Sequence, residues 1–124
     1  MDLQHQAQEF RHSYGVNNDP QQRNMQLTLI QEEHREFIEA HLKQMDYDGA
    51  QADCLKELAD LVYVCFQYAE NMDWDLEEAM KRVHQSNLSK LGLDGKPIRR
   101  RDGKIQKGPQ YQPPNLSDLV KWAN

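Results

Sequence analysis

The chain has 124 residues, the length of a single domain, and only 38% of them are hydrophobic. This fraction is below the roughly 45–50% that is usual for soluble proteins, so it predicts a thin core and favours oligomerisation as a way to cover apolar surface. The net charge of −5 argues against a general nucleic-acid-binding protein. The sequence has neither a run of about 20 apolar residues nor the basic-then-apolar start of a secretion signal, so we expect a cytoplasmic protein that does not contact membranes.

Helical periodicity dominates the first three-quarters of the sequence. A turn-rich stretch at residues 14–20 separates a weakly amphipathic first segment from a long second one, which Asp19 and Pro20 would begin. The third segment has the broadest apolar face and is expected to be central, and Asp75 gives a start signal for the fourth. The predicted helices cover residues 3–13, 20–45, 52–72 and 75–89.

The sequence changes character after residue 90. Asp102 and Gly103 predict a tight two-residue turn between short strands at residues 98–101 and 104–107. Three prolines then impose an extended run. A last short helix, which Asn115 or Ser117 would cap, is predicted to carry Leu119, Val120 and Trp122.

Together these patterns predict an all-α fold, an antiparallel helical bundle of about four helices with a short C-terminal β-hairpin and an extended tail, assembled as an oligomer. We expect one domain over residues 1–124, with a helical core at about 20–90 and a basic tail at about 90–115. Charge also separates these two parts, because residues 90–107 carry a net charge of +5 and the rest of the chain carries −10.

Two short acidic clusters lie on the second and third predicted helices. Glu33 and Glu36 are three residues apart, as are Glu57 and Asp60, so on a helix the members of each pair point roughly the same way. Apolar residues surround both clusters, which indicates that these helices pack against neighbours. Packed carboxylates repel one another unless a positive charge lies between them, and oxygen-only ligands suit a hard divalent ion such as Mg²⁺ or Mn²⁺.

The two clusters are close enough along the chain to face each other. Twenty residues separate Glu36 from Glu57, which allows a short connection between antiparallel helices. Four carboxylates across the cleft between the helices could hold one to three divalent ions. Such ions would neutralise phosphate oxygens, orient a substrate and activate a water molecule for hydrolysis.

The basic tail supplies candidates for binding a polyphosphate and its nucleoside. Lys90, Lys107 and one arginine of the run at residues 99–101 could bind phosphate, with Arg99 and Arg101 on the same side of a strand. Gly108 would allow a close backbone approach to the ligand. Two further candidates are Asn87, which could hydrogen-bond to the substrate, and Tyr111, which could stack on a base.

These motifs resemble the all-α nucleoside triphosphate pyrophosphohydrolases of the MazG type. The signature of that family is E-E-x-x-E followed, after a variable gap, by E-x-x-D, and this chain has Glu32-Glu33-x-x-Glu36 and then Glu57-x-x-Asp60. The likeness extends over about residues 20–115. A phage and bacterial branch of the family is similar in four further motifs, Ser86-Asn-x-Ser-Lys90, Asp94-Gly-Lys-Pro, Asp102-Gly-Lys and Lys107-Gly-Pro-x-Tyr111.

The resemblance implies hydrolysis of a (deoxy)nucleoside triphosphate to the monophosphate and pyrophosphate, with Mg²⁺ or Mn²⁺ as cofactor. It also implies a homodimer or homotetramer that takes part in nucleotide-pool control, in the host cytoplasm if the chain is of phage origin. A purine substrate such as dGTP or dATP is our expectation. Glu32 would be a base or a group behind the ligands, and the implied metal ligands are Glu33, Glu36, Glu57 and Asp60.

Two other functions were weighed against this one. A non-catalytic helical dimer could bind nucleotide or nucleic acid through the basic hairpin, with acidic clusters that are only structural. A di-iron carboxylate protein is disfavoured, because it needs Glu-x-x-His pairs on two helices and the acidic clusters contain no such pair.

Overall fold

The computed structural model of the protein describes residues 2–120, which form four α-helices and one two-stranded antiparallel sheet. This architecture confirms the predicted fold class. The helices are α1 (Leu3–Ser13), α2 (Arg23–Leu42), α3 (Ala50–Asn71) and α4 (Leu76–Leu88), the strands are β1 (Ile98–Arg99) and β2 (Ile105–Gln106), and short 3₁₀ helices cover Pro20–Gln22 and Ser117–Leu119. None of the described helices is both long and apolar enough to cross a lipid bilayer.

The chain divides after Leu76 into two compact units. In the first unit, α3 packs against both α1 and α2, which confirms its predicted central position. The side-chain amide of Asn71, at the end of α3, donates to the carbonyl of Asp19, just before α2, at 2.7 Å. Glu57, near the start of α3, lies instead beside residues in the second half of α2. The two helices are therefore antiparallel.

Local signals explain where α2 and α3 begin. The Asp19 carboxylate accepts from the backbone N–H of Gln21 at 3.0 Å, so Asp19 opens the helical segment as predicted. The α-helix itself starts after one 3₁₀ turn and ends three residues earlier than predicted, at Leu42. Gly49, with φ of +90°, lets the connecting loop turn directly into α3.

A buried arginine fastens α1 and the following loop to α3. The Arg11 side chain is only 4% exposed, and its guanidinium donates to the side chains of Gln67 at 3.1 Å and Asn71 at 3.0 Å. It also donates to the Asn18 side chain at 2.8 Å and to the Asn17 carbonyl at 3.0 Å. Burial lowers the pKa of Arg11, and the negative charges of Glu70 and Asp73 partly oppose this shift.

Little apolar surface is buried in the first unit. Few apolar side chains are buried, and most of them are small, whereas several polar side chains share the interior with them. The buried apolar residues are Ala7, Ala50, Cys54, Phe66, Ala69 and Met72. The buried polar residues are Gln4, Arg11, Gln26, Gln67 and Asn71.

Large apolar side chains on α2 and α3 remain exposed in the single chain. The helical spacing of the second segment predicts one buried face, made of Leu27, Ile30, Phe37, Ile38, His41 and Met45. Only Ile30 and Phe37 are half-buried, and the rest of that face is exposed. On α3, Leu55 is 66% exposed and Leu58 40% exposed. Leu55 and Leu58 also line an apolar groove of about 440 Å³ between α1 and α3, together with Leu3 and Phe66.

In the second unit, α4 is only partly covered. The sequence pattern predicts that this helix buries Leu76, Ala79, Met80 and Val83. Met80 is wrong in this prediction, since its side chain is 54% exposed, whereas the other three are half-buried. The predicted cap at Asn115 or Ser117 is wrong, since Leu116 occupies the N-cap position of the last short helix, Ser117–Leu119. The side chain of Asn115, one residue earlier, accepts from the backbone N–H of Ser117 at 3.1 Å. Trp122, which was assigned to that helix, lies outside the described residues.

The hairpin differs from the prediction by one residue in its turn. Ile98 pairs with Gln106 and Arg99 with Ile105, and the N–H of Arg100 donates to the carbonyl of Lys104 at 2.7 Å. The loop therefore has three residues rather than two. Its last residue, Gly103, has φ of +91°, and a residue of this conformation at the end of a three-residue loop keeps the strands in register.

Candidate functional site

Three glutamates from α2 and α3 converge at the contact between these helices. Glu33 and Glu36 lie one turn apart on α2, and Glu57 faces them from α3. One carboxylate oxygen of each of the three lies within 4.8 Å of the other two. This group, Glu33, Glu36 and Glu57, is called the glutamate triad below.

The triad contains buried carboxylate oxygens that lack a partner. Oε2 of Glu33 and Oε2 of Glu57 are buried and accept no hydrogen bond from any described residue. A buried acceptor without a donor costs folding free energy, and a carboxylate more so than a neutral group. Oxygen donors in this state fit a hard divalent cation, which would satisfy them and offset their charge.

Electrostatics within the triad favour the uncharged form of one member. Burial raises the pKa of Glu33, and the neighbouring Glu36 raises it further, with smaller contributions from Asp60 and Glu57. A positive ion among these groups would act in the opposite direction, because it favours the ionised carboxylate.

Asp60, the fourth acidic residue of the motif, is not part of the triad. It lies one turn beyond Glu57 on α3 and is half-buried. Its Oδ2 accepts from the ammonium of Lys56 at 2.7 Å, and the same ammonium lies 3.5 Å from Oε1 of Glu57. Lys56 was missed in the sequence, although its spacing of four residues from Asp60 is the signal of a helical ion pair.

Two other glutamates of α2 remain outside the triad. Glu32 is exposed, in agreement with its different direction on the helix. Glu39 is also exposed, and its carboxylate lies 4.0 Å from the guanidinium of Arg35. The sequence contains one Glu-x-x-His pair, Glu9 and His12, and both residues are exposed on α1.

In the second unit, two lysines gather around one aromatic ring. The ammonium of Lys107 lies over the Tyr111 ring at 4.9 Å from its centroid, and that of Lys90 at 6.0 Å. Both distances are within the range of a cation–π interaction. Three of the six substrate-binding candidates are thus neighbours.

The other three candidates, Asn87, Arg99 and Arg101, are exposed, and the backbone carbonyl of Asn87 accepts from the N–H of Lys90 at 3.2 Å. Asn87 is on α4, and Arg99 on β1 donates to the carbonyl of Gly103 at 3.1 Å. Arg101 lies in the hairpin loop. Arg100 pairs with the adjacent Asp102, whose pKa is lowered by that guanidinium.

Serines at the end of α4 hold the segment that carries Tyr111. Ser86 donates to the carbonyl of Gln112 at 2.7 Å, and the N–H of Gln112 donates to the Ser89 hydroxyl at 3.0 Å. Gly108 packs so closely that a Cβ would collide with the carbonyls of Lys90 and Leu91. The close approach expected of Gly108 is thus made to the chain itself.

Comparison with known proteins identifies the class of the chain. A model of the phosphoribosyl-ATP pyrophosphohydrolase family matches residues 3–87, which include the triad, Glu32 and Asp60. No curated protein matches the chain. The protein is thus a pyrophosphohydrolase, a hydrolase that acts on acid anhydrides.

The match covers more than half of the chain, so this protein belongs to the phosphoribosyl-ATP pyrophosphohydrolase family. This assignment is consistent with the all-α MazG-like superfamily and confirms the resemblance drawn from the acidic motifs. The phage branch is not tested by this match and stays a prediction.

The triad predicts an unusual effect of removing a charge. Without divalent ions, Glu33→Gln should raise the midpoint of urea denaturation at pH 7, because it removes a partly buried carboxylate next to two others. The raised pKa of Glu33 means that the wild type loses stability as the pH rises from the ordinary glutamate pKa of about 4.3 through the raised value. The advantage of the variant should therefore shrink as the pH falls through this range and be lost below it.

Glu39→Gln is the control, since it removes an exposed glutamate from the same helix. With Mn²⁺ present, the wild type should gain more stability than Glu33→Gln does. A lower midpoint for Glu33→Gln in the absence of metal would contradict this account of the triad.

Proposed function

We propose that the protein hydrolyses a nucleoside triphosphate to the monophosphate and pyrophosphate, with Mg²⁺ or Mn²⁺ held by Glu33, Glu36, Glu57 and Asp60. The observation that carries this proposal is the glutamate triad, in which three carboxylate oxygens lie within 4.8 Å of one another. Two of these side chains, Glu33 and Glu57, also have a buried oxygen that accepts no hydrogen bond from a described residue. Membership of a pyrophosphohydrolase family supports the hydrolytic function over a non-catalytic nucleotide-binding dimer.

The carboxylates of the acidic motif are proposed to have two different roles, binding the metal ion and supporting the reaction beside it. When bound, the ion neutralises phosphate oxygens and makes water a better nucleophile. The triad fixes the position of the ion through oxygens from two helices, and Asp60 adds a fourth donor from α3. Glu32, exposed beside the triad in sequence, is proposed to accept a proton or to support the ligands rather than to bind the ion.

The basic segment is proposed to bind the rest of the substrate. Lys90 and Lys107 offer two ammonium groups next to an aromatic ring, which suits a phosphate group beside a base. The full set that we propose to contact substrate is Asn87, Lys90, Arg99, Arg101, Lys107 and Tyr111.

A purine deoxynucleotide, dGTP or dATP, is the substrate that we propose. Phosphoribosyl-ATP, the compound in the family name, also carries a purine and a triphosphate, so the same anhydride chemistry applies to both. A role in nucleotide-pool control in the cytoplasm follows from the deoxynucleotide substrate.

Removing a metal ligand should abolish turnover. Glu36→Gln and Asp60→Asn are each expected to lower kcat at least about 10²-fold, because each removes a negative charge that holds the ion. The measurement is pyrophosphate release with Mg²⁺ or Mn²⁺ from eight NTPs and dNTPs and from phosphoribosyl-ATP. Glu39→Gln, an exposed charge loss on the same helix, should retain activity.

The same assay can refute the proposal in two separate ways. Activity that survives both Glu36→Gln and Asp60→Asn would refute the metal-ligand assignment. Turnover of phosphoribosyl-ATP alone would refute the deoxynucleotide substrate and leave the metal site standing.

Loss of one ammonium beside Tyr111 should weaken binding of substrate. Lys107→Ala is expected to raise KM about tenfold with little change in kcat, because a phosphate contact of this kind acts equally on the ground state and the transition state. Steady-state kinetics on the best substrate provide the test, with Lys104→Ala in the hairpin loop as the matched loss of charge. An unchanged KM would remove Lys107 from the binding site.

We also propose that the protein is a homodimer or homotetramer in which a second copy covers the exposed apolar surface of α2 and α3. Leu42 at the end of α2 and Leu55 on α3 are 74% and 66% exposed, and Met45 in the loop between the two helices is 81% exposed. Exposed apolar side chains that lie together mark a surface for association. The thin core agrees with this assembly, since burial between copies would supply the apolar contacts that one chain lacks.

A charge introduced at this surface should separate the copies. Leu55→Glu is expected to lower the molar mass measured by light scattering to that of one chain, or to half that of a tetramer. Gln51→Glu, an exposed substitution one turn earlier on α3, is the control and should leave the mass unchanged. The same mass for wild type and Leu55→Glu would exclude Leu55 from the interface.

A further inference from the structure

Lys56 lies next to the triad and has no place in the acidic motif. It precedes Glu57 on α3, and its side chain is 67% exposed. Its ammonium lies 2.7 Å from Oδ2 of Asp60 and 3.5 Å from Oε1 of Glu57. A single positive charge therefore already contacts two of the four proposed metal ligands.

This contact divides the acidic motif. The oxygens of Glu33, Glu36 and Glu57 form the triad, whereas Asp60 directs one oxygen to Lys56. A cation that draws in Asp60 must compete with the ammonium for that carboxylate. Lysine and the divalent ion are thus alternative partners of one side chain.

We propose that Lys56 is an internal counter-ion that competes with the divalent cation for Asp60 and thereby weakens binding of the ion. The proposal rests on the metal site of the proposed function. It assigns Lys56 a role in setting metal affinity, without direct contact with the reacting atoms.

The strengths of the two interactions allow the exchange. The lysine of the pair is exposed and Asp60 is half-buried, and the lysine precedes the acid by four residues, the weaker order of a helical ion pair. A divalent ion carries twice the charge and would meet the triad as well as Asp60. The long, exposed side chain of Lys56 can then move into solvent at little cost in packing.

The opposite role makes a different prediction. A lysine that orients a ligating carboxylate strengthens metal binding, as hydrogen-bonded groups behind metal ligands generally do. Removing such a lysine loosens the site. Removing a competitor tightens it, so the direction of the change in affinity separates the two roles.

The experiment measures the Kd of Mn²⁺ for the full chain without nucleotide, by titration calorimetry or by the electron paramagnetic resonance signal of free Mn²⁺. Lys56→Met should bind Mn²⁺ about two- to fivefold more tightly than Arg35→Met, the fold-change that corresponds to an exposed ion pair. Arg35 is a matched control, because it is an equally exposed cation beside Glu36 in sequence whose partner, Glu39, is outside the triad.

Asp60→Asn tests the route of the effect. In that background, the gain of Lys56→Met over Arg35→Met should shrink, because the carboxylate of the 2.7 Å contact is gone and only the 3.5 Å contact with Glu57 remains. Lys56→Gln should reproduce the result of Lys56→Met, which shows that charge is responsible and provides a second variant if methionine disturbs the fold.

Two results would overturn the role of Lys56 and leave the proposed function standing. One is a Kd of Lys56→Met for Mn²⁺ that equals or exceeds that of the Arg35→Met control. The other is a gain in Mn²⁺ affinity that persists undiminished in the Asp60→Asn background. Failure of the wild type to bind Mn²⁺ would overturn the metal site of the proposed function, and the role of Lys56 with it.

Discussion

Repulsion among carboxylates at the contact between α2 and α3 is the constraint on which the first unit depends. Glu33 and Glu57 each bury an oxygen that no described residue satisfies, so this part of the helix pair opposes folding. The opposing contacts lie about 20 Å along α3, where the fully buried Asn71 binds both Asp19 and Arg11. That polar network fixes the antiparallel pairing of the helices independently of the triad. A site that costs stability is thus maintained by hydrogen bonds elsewhere, as is usual where function conflicts with folding.

The same division of labour explains the thin core. Interior positions that would hold apolar side chains in a more stable domain are given to Gln26, Gln67 and Asn71. Apolar side chains lie instead on the outer faces of α2 and α3, where Leu42 and Leu55 are mostly exposed. Apolar burial then has to come from contacts beyond one chain, which is the physical reason for proposing an oligomer. In the proposed oligomer, association and function would be coupled, because the helices that carry the acidic groups also carry the exposed apolar surface.

Patterns with local causes could be predicted from the sequence, and contacts between distant residues could not. Apolar periodicity predicted all four helices, and the three-residue spacing predicted that Glu33 and Glu36 point the same way. The three-residue hairpin loop was missed, since the placement of Gly103 depends on the register of both strands. Lys56 was missed because an ion pair four residues apart is usually a surface feature. The serines that hold Gln112 were visible only as part of a motif, because their partner lies more than 20 residues away.

On the proposed function, hydrolytic chemistry and substrate choice belong to different parts of the chain. The family match ends at residue 87 and includes the whole acidic motif, so it supports the chemistry and is silent on the basic segment. Lys107 and Tyr111 follow that boundary, in a segment that Ser86 and Gly108 hold in place through a hydrogen bond and a close backbone contact. Changes after residue 87 can therefore alter which nucleotide is bound while the acidic motif keeps the same reaction. This separation is the physical reason why the family name does not determine the substrate of this chain.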